Sequence, residues 1–77
     1  AMNDTPDRID ALGLLCPLPV LKLRKRLQRL AAGQSIELLA DDPAAIIDVP
    51  HFCAQSGHEL MSVSTHDGAQ LYRVRKT

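Results

Sequence analysis

Aromatic side chains are nearly missing from this chain: one Tyr, one Phe and no Trp among 77 residues. The core must therefore be aliphatic, and single-stranded nucleic acid finds few surfaces on which to stack its bases. Cysteine is scarce as well. Cys16 and Cys53 are too few for the disulfide framework of a small secreted domain. No apolar run reaches the length of a membrane span, and Ala1-Met2-Asn3-Asp4 has no signal-peptide pattern. Ala1 ahead of Met2 reads as an expression scar. A cytoplasmic, reducing location is expected, with no membrane partner. Net charge is also missing: nine basic residues balance nine acidic ones. Nothing draws the whole molecule toward nucleic acid, so no direct nucleic-acid contact is expected. There is no Gly-rich phosphate loop, no paired-carboxylate constellation and no Ser-His-Asp set. His51, Cys53 and His58 fit no strong zinc spacing, so no metal site is expected.

What is present is a chain that can fold, with 45% hydrophobic residues. Residues 1–7 are polar and read as a flexible N-terminal segment, leaving 8–77 as a single small domain. Arg8 to Leu12 is a short candidate strand that Gly13 ends. Pro17 to Ala32 is the clearest helix: Val20, Leu23, Leu27, Leu30 and Ala31 share one face. Lys22, Lys25, Arg26 and Arg29 share another, and Gly33 supplies the stop. Ser35 to Ala40 is a strand, with Glu37 facing outward or placed at an edge. Asp42-Pro43 opens a second helix, Asp42 as N-cap and Pro43 as N1, with Ile46, Val49 and Cys53 on one face. Pro50 should kink or restart this helix, with Asp48 available to cap the restart, and Gly57 ends it. Glu59 to Thr65 is a strand with Met61 and Val63 inward. Asp67-Gly68 signals a hairpin turn into the last strand, Gln70 to Lys76. The order is β-α-β-α-β-β. Both helices should cover one face of a four-stranded sheet, giving an α/β (α+β) two-layer sandwich.

Cys16 is the residue that points to chemistry. It lies in Gly13-Leu14-Leu15-Cys16-Pro17-Leu18-Pro19, at the entrance of the first helix. Proline suits the first helical position, so Pro17 as N1 makes Cys16 the N-cap. A thiol there faces unpaired N–H groups and the positive end of the helix dipole, which predicts a lowered pKa and a reactive thiolate. Pro17 and Pro19 stiffen the backbone around it. Cys53, mid-helix on an apolar face, reads as a core thiol.

Cys16-Pro17-Leu18-Pro19 resembles the Cys-Pro-x-Pro motif of the TusA/SirA-like sulfur carrier family, closest to TusA. Gly13-Leu14, Arg24-Lys25, Asp41-Asp42-Pro43-Ala44, Asp48-Val49-Pro50, Phe52-Cys53, Gly57-His58-Glu59-Leu60 and Arg73-Val74-Arg75-Lys76 extend the similarity over nearly the whole chain. The resemblance implies a mixed sheet with two helices on one side. It implies that Cys16 carries a sulfane sulfur as a persulfide, with no other cofactor. The donor would be a cysteine desulfurase or another sulfurtransferase. The acceptor would be a downstream relay protein, as in tRNA 2-thiouridine formation. Related carriers serve dissimilatory sulfur oxidation. Leu18 replaces an acidic residue that some TusA members carry, which bears on the partner and not on the chemistry.

On this reading the protein is a monomeric transfer partner and not a self-sufficient enzyme, because so small a sandwich has little room for a deep pocket. Gly13, Pro17 and Pro19 support the motif. Arg24 and Lys25, which match the family, and Lys22 beside them would dock acidic partners. They lie too far along the helix to touch Cys16. Two rival readings remain: a thiol oxidoreductase that pairs Cys16 with Cys53, and a non-catalytic regulatory module that docks through its basic helix.

Overall fold

β-branched and leucine-rich alternation builds the centre of the sheet. Ile36, Leu38, Tyr72 and Val74 are fully buried and face the helices. Glu37 and Arg73 alternate with them on the opposite face, as a period of two requires. There Glu37 accepts a hydrogen bond from Arg8 at 3.1 Å and lies 3.9 Å from Arg73. The computed structural model describes residues 7–77. Its elements are β1 (Asp7–Asp10), α1 (Leu18–Leu27), β2 (Ser35–Ala40), α2 (Ala45–Ser56), β3 (Glu59–His66) and β4 (Ala69–Arg75). The N-terminal segment expected to be flexible lies outside the described residues except for Asp7, which opens β1 opposite Ile36.

The strands run in the order β1-β2-β4-β3. β1 pairs parallel with β2, and the other two ladders are antiparallel, so the sheet is mixed. Residues of both helices join one core cluster with the inward face of the sheet. The expected β-α-β-α-β-β two-layer sandwich is therefore the observed fold. The hairpin turns at Asp67 and Gly68, both at positive φ, with His66 paired to Ala69. Those are the backbone angles of a two-residue turn whose twist matches the strands.

Three local expectations change. α1 ends at Leu27, not at Ala32. Tight turn bonds then carry the chain through Leu30, with Arg29 N–H donating to the Arg26 carbonyl and Leu30 N–H to that of Leu27. Pro19, Leu23 and Leu27, four residues apart, form the buried stripe, while Ala31 is exposed. Burying each leucine fully contributes about 2 kcal/mol. α2 runs unbroken through Pro50, and its buried stripe is Ala45, Val49 and Cys53, while Ile46 faces solvent. The stripe follows a spacing of four, which Ala45 satisfies and Ile46 does not. Met61 and Val63 are exposed. Met61 falls at the register shift between Leu60 and Ser62, and β3 is exposed at every position but Leu60. Leu60 is the residue of this edge strand that packs against the core.

Candidate functional site

β1 and β2 are parallel neighbours, so the loops that leave their C-terminal ends lie side by side. The loop after β1 carries Cys16, and the loop after β2 carries Asp41 and Asp42. In such sheets the C-terminal ends of parallel strands are the usual place for a site. The ladder continues past Asp10, with Ala11 N–H donating to the Leu39 carbonyl at 2.8 Å. Carboxylates then hold the loop down. Leu12 N–H donates to Asp10 Oδ1 at 3.1 Å, and Gly13 N–H to Asp41 Oδ1 at 3.0 Å. Cys16 N–H donates to Asp42 Oδ2 at 2.6 Å. Gly13 sits at φ +76°, a left-handed conformation that glycine adopts without the usual Cβ penalty. Asp42 does two things at once: its Oδ1 accepts the Ala44 N–H at 3.2 Å, steadying the turn that leads into α2.

Cys16 is not the N-cap. Leu18 N–H donates to the Leu15 carbonyl, and the first four-residue helical bond runs from Leu21 N–H to the Pro17 carbonyl at 3.1 Å. That bond makes Pro17 the N-cap and leaves Cys16 one residue outside the helix. The Cys16-Pro17 peptide is cis. The proline in the first turn of the helix is Pro19, and its ring is buried. Two prolines stood close enough to start the helix, and the second is the one inside it. α2 behaves likewise: its N-cap is Ala44, and Asp42 with Pro43 forms the tight turn before it.

The thiol is exposed, and its Sγ donates a hydrogen bond to Asp48 Oδ2 at 2.9 Å. Its pKa is pushed up from the ordinary cysteine range, contrary to the lowered value predicted from a helix entrance. The hydrogen bond to Asp48 is the largest cause, followed by desolvation and the negative charges of Asp48 and Asp42. A bond that the protonated thiol makes to a carboxylate favours the protonated form. The helix dipole fades within a turn, and here two carboxylates contact Cys16 directly. Asp48 does not cap a restarted helix; it projects from the first turn of α2 to meet Cys16.

Cys16, Pro17, Val20, Asp48, His51, Phe52 and Gln55 line an open groove of 290 Å³ between α1 and α2. Of the residues expected to act with Cys16, Pro17 shares this groove. The basic residues divide. Arg24 lines a neighbouring groove of 360 Å³ with Gln28, Phe52, Gln55, His58 and Lys76. Lys22 and Lys25 line a third, of 230 Å³, with Ile9, Arg26 and Arg29. The proposed docking set is thus two surfaces, on either side of α1. Cys53 is buried among the core residues, and its thiol is held up by desolvation. It follows Asp48 by five residues, about 140° around the helix. His51 lines the Cys16 groove, and His58 packs on Phe52 with ring centroids 6.1 Å apart. His51, Cys53 and His58 therefore occupy three different settings.

Sequence alone does not identify Asp42 and Asp48 as the carboxylates at Cys16, or Asp41 as the one that holds Gly13. The acidic doublet was visible as a signal, and so was an Asp at the start of a helix. Their common target emerges once β1 and β2 pair.

Comparison with known proteins agrees with this architecture. A family model described as Sulfurtransferase TusA matches residues 7–76. The sulfur carrier protein TusA of Pseudomonas entomophila (strain L48) is 44% identical over 68 residues, covering 88% of this chain and 85% of the relative. The crystal structure of a SirA-like protein from Desulfitobacterium hafniense superposes with a TM-score of 0.79 at 26% identity, covering 88% of this chain and 93% of the other. The expected kinship is thereby established on sequence and fold together: the chain belongs to the TusA family of sulfur carrier proteins.

Proposed function

We propose that Cys16 is the sulfur-carrying residue, taking a sulfane sulfur as a persulfide from a donor protein and delivering it to an acceptor cysteine. The observation that carries this reading is the exposed Cys16 thiol at the mouth of an open groove, in a chain of this family. Cys53 is buried and cannot meet a partner without unfolding. The surface near Cys16 suits a protein partner. Leu15 and Ile47, neighbours in sequence of Cys16 and Asp48, are 69% and 74% exposed, and Leu18 and Leu21 are also open. Exposed apolar groups around a reactive atom favour transient burial against another protein. Lys22, Lys25 and Arg24 add basic surface for steering acidic partners. The donor in this reading is a cysteine desulfurase or another sulfurtransferase, and the destination is the relay that forms tRNA 2-thiouridine.

Incubation with a cysteine desulfurase and free cysteine is expected to add one sulfur atom to the intact mass. Cys16→Ser is expected to add none. A gain that persists in the variant would remove Cys16 from this role. In cells lacking the protein, wild type is expected to restore tRNA 2-thiouridine and Cys16→Ser is not. Normal thiolation in cells lacking the protein would move it to another sulfur pathway.

A further inference from the structure

The strongest unassigned feature is the carboxylate that meets the thiol. Asp48 is half-buried in the first turn of α2, and among the described residues it pairs with no cation. Its Oδ2 lies 2.9 Å from Cys16 Sγ, on the wall of the groove that a partner's sulfur would enter. Asp42, from the loop before α2, takes the Cys16 backbone N–H and fixes the sulfur against it. The N-cap Pro17 and Val20 of α1 give this groove uncharged lining. The remaining titratable side chain on its wall is His51 of α2.

We infer that Asp48 is a catalytic residue of sulfur transfer, moving the proton between Cys16 and the sulfur that attacks or leaves. This rests on the carrier reading above. In loading, Cys16 gives its thiol proton to Asp48 as its sulfur attacks the outer sulfur of a donor persulfide, R–S–SH. A bond forms between the Cys16 sulfur and that outer sulfur. The S–S bond of the donor breaks, and its electron pair stays on the donor's inner sulfur, which takes the proton from Asp48. The products are Cys16–S–SH and R–SH, with no net oxidation or reduction. In delivery the same path runs backward. The acceptor's thiol proton reaches Asp48 and then the Cys16 sulfur as it leaves. A carboxylate in this position holds the resting thiol protonated, as its raised pKa requires, and still provides a route for attack.

The test uses glutathione persulfide as a small donor, so that docking plays no part, and follows sulfur uptake by intact mass from acid to alkaline pH. Parallel alkylation with iodoacetamide reads the thiolate alone. Asp48→Asn is expected to slow sulfur uptake at neutral pH about 100-fold. The same variant is expected to alkylate faster than wild type, because removing the carboxylate frees the thiolate. Asp48→Glu is expected to recover part of the uptake. Uptake by Asp48→Asn at the wild-type rate overturns the inference. So does a parallel slowing of both reactions, which marks a structural role. If wild type takes up no sulfur from either donor, the carrier reading fails first and this inference falls with it.

Discussion

Two thiols in one small chain have opposite surroundings, and the difference is a matter of a few atoms. Cys16 stands in solvent with a carboxylate on its sulfur; Cys53 is enclosed by the core. The contrast between them could be read from their neighbours in sequence: one precedes Pro-Leu-Pro, the other lies at helical spacing from Val49. The direction of the Cys16 pKa could not be read, because Asp48 is 32 residues away. Cys53 acts in packing, so Cys53→Ala is expected to cost about 1 kcal/mol of stability in urea unfolding and to leave sulfur uptake unchanged. Cys53→Ser is expected to cost more, since it buries a hydroxyl. Loss of uptake in Cys53→Ala would instead favour a mechanism that pairs the two cysteines.

α1 joins three surfaces, and its sequence period sorts residues among them. Leu23 and Leu27 turn to the core, Arg24 turns toward α2 and His58, and Lys22 with Lys25 turns toward Ile9. Adjacent residues on a helix are 100° apart, so Arg24 and Lys25 could never serve one flat docking face equally. Lys25→Glu is therefore expected to slow loading by a protein donor about 10-fold at low salt, an effect that vanishes at high salt. Loading by glutathione persulfide is expected to stay unchanged. An equal loss with the small donor would show that Lys25 acts on the chemistry and not on encounter. α2 continues through Pro50, against the break that the proline predicts, for a physical reason. Stop and break signals are local, whereas packing of Val49 and Cys53 against the sheet holds α2 together on both sides of the proline.

The folded molecule holds protons more tightly than its unfolded chain does at alkaline pH. Burial raises the Cys53 thiol, the Asp48 contact raises the Cys16 thiol, and desolvation with nearby Asp42 raises the Tyr72 phenol. Each folded value exceeds the unfolded one, so the associated stability is fully present below the ordinary thiol range. It is lost as pH rises through the folded values. The urea midpoint is expected to stay level near neutrality and to fall above about pH 8.5. Cys53→Ala should soften that fall. A midpoint unchanged up to about pH 10, where free tyrosine also ionises, would contradict these assignments.

Periodicity and turn chemistry were enough to place six elements in order, because alternation, helical spacing and turn residues mark where each element lies along the chain. The inward side of β3 and the Ile46 position were decided by packing. The Pro-bracketed Cys16 stood out in the sequence, and the structure leaves it exposed. The chemistry around that sulfur was settled by the parallel pairing of β1 with β2, which sets the Cys16 loop against the start of α2. Charges act through space and fall off over a few ångströms, so Asp42 and Asp48 govern the thiol from positions that lie far from it along the chain.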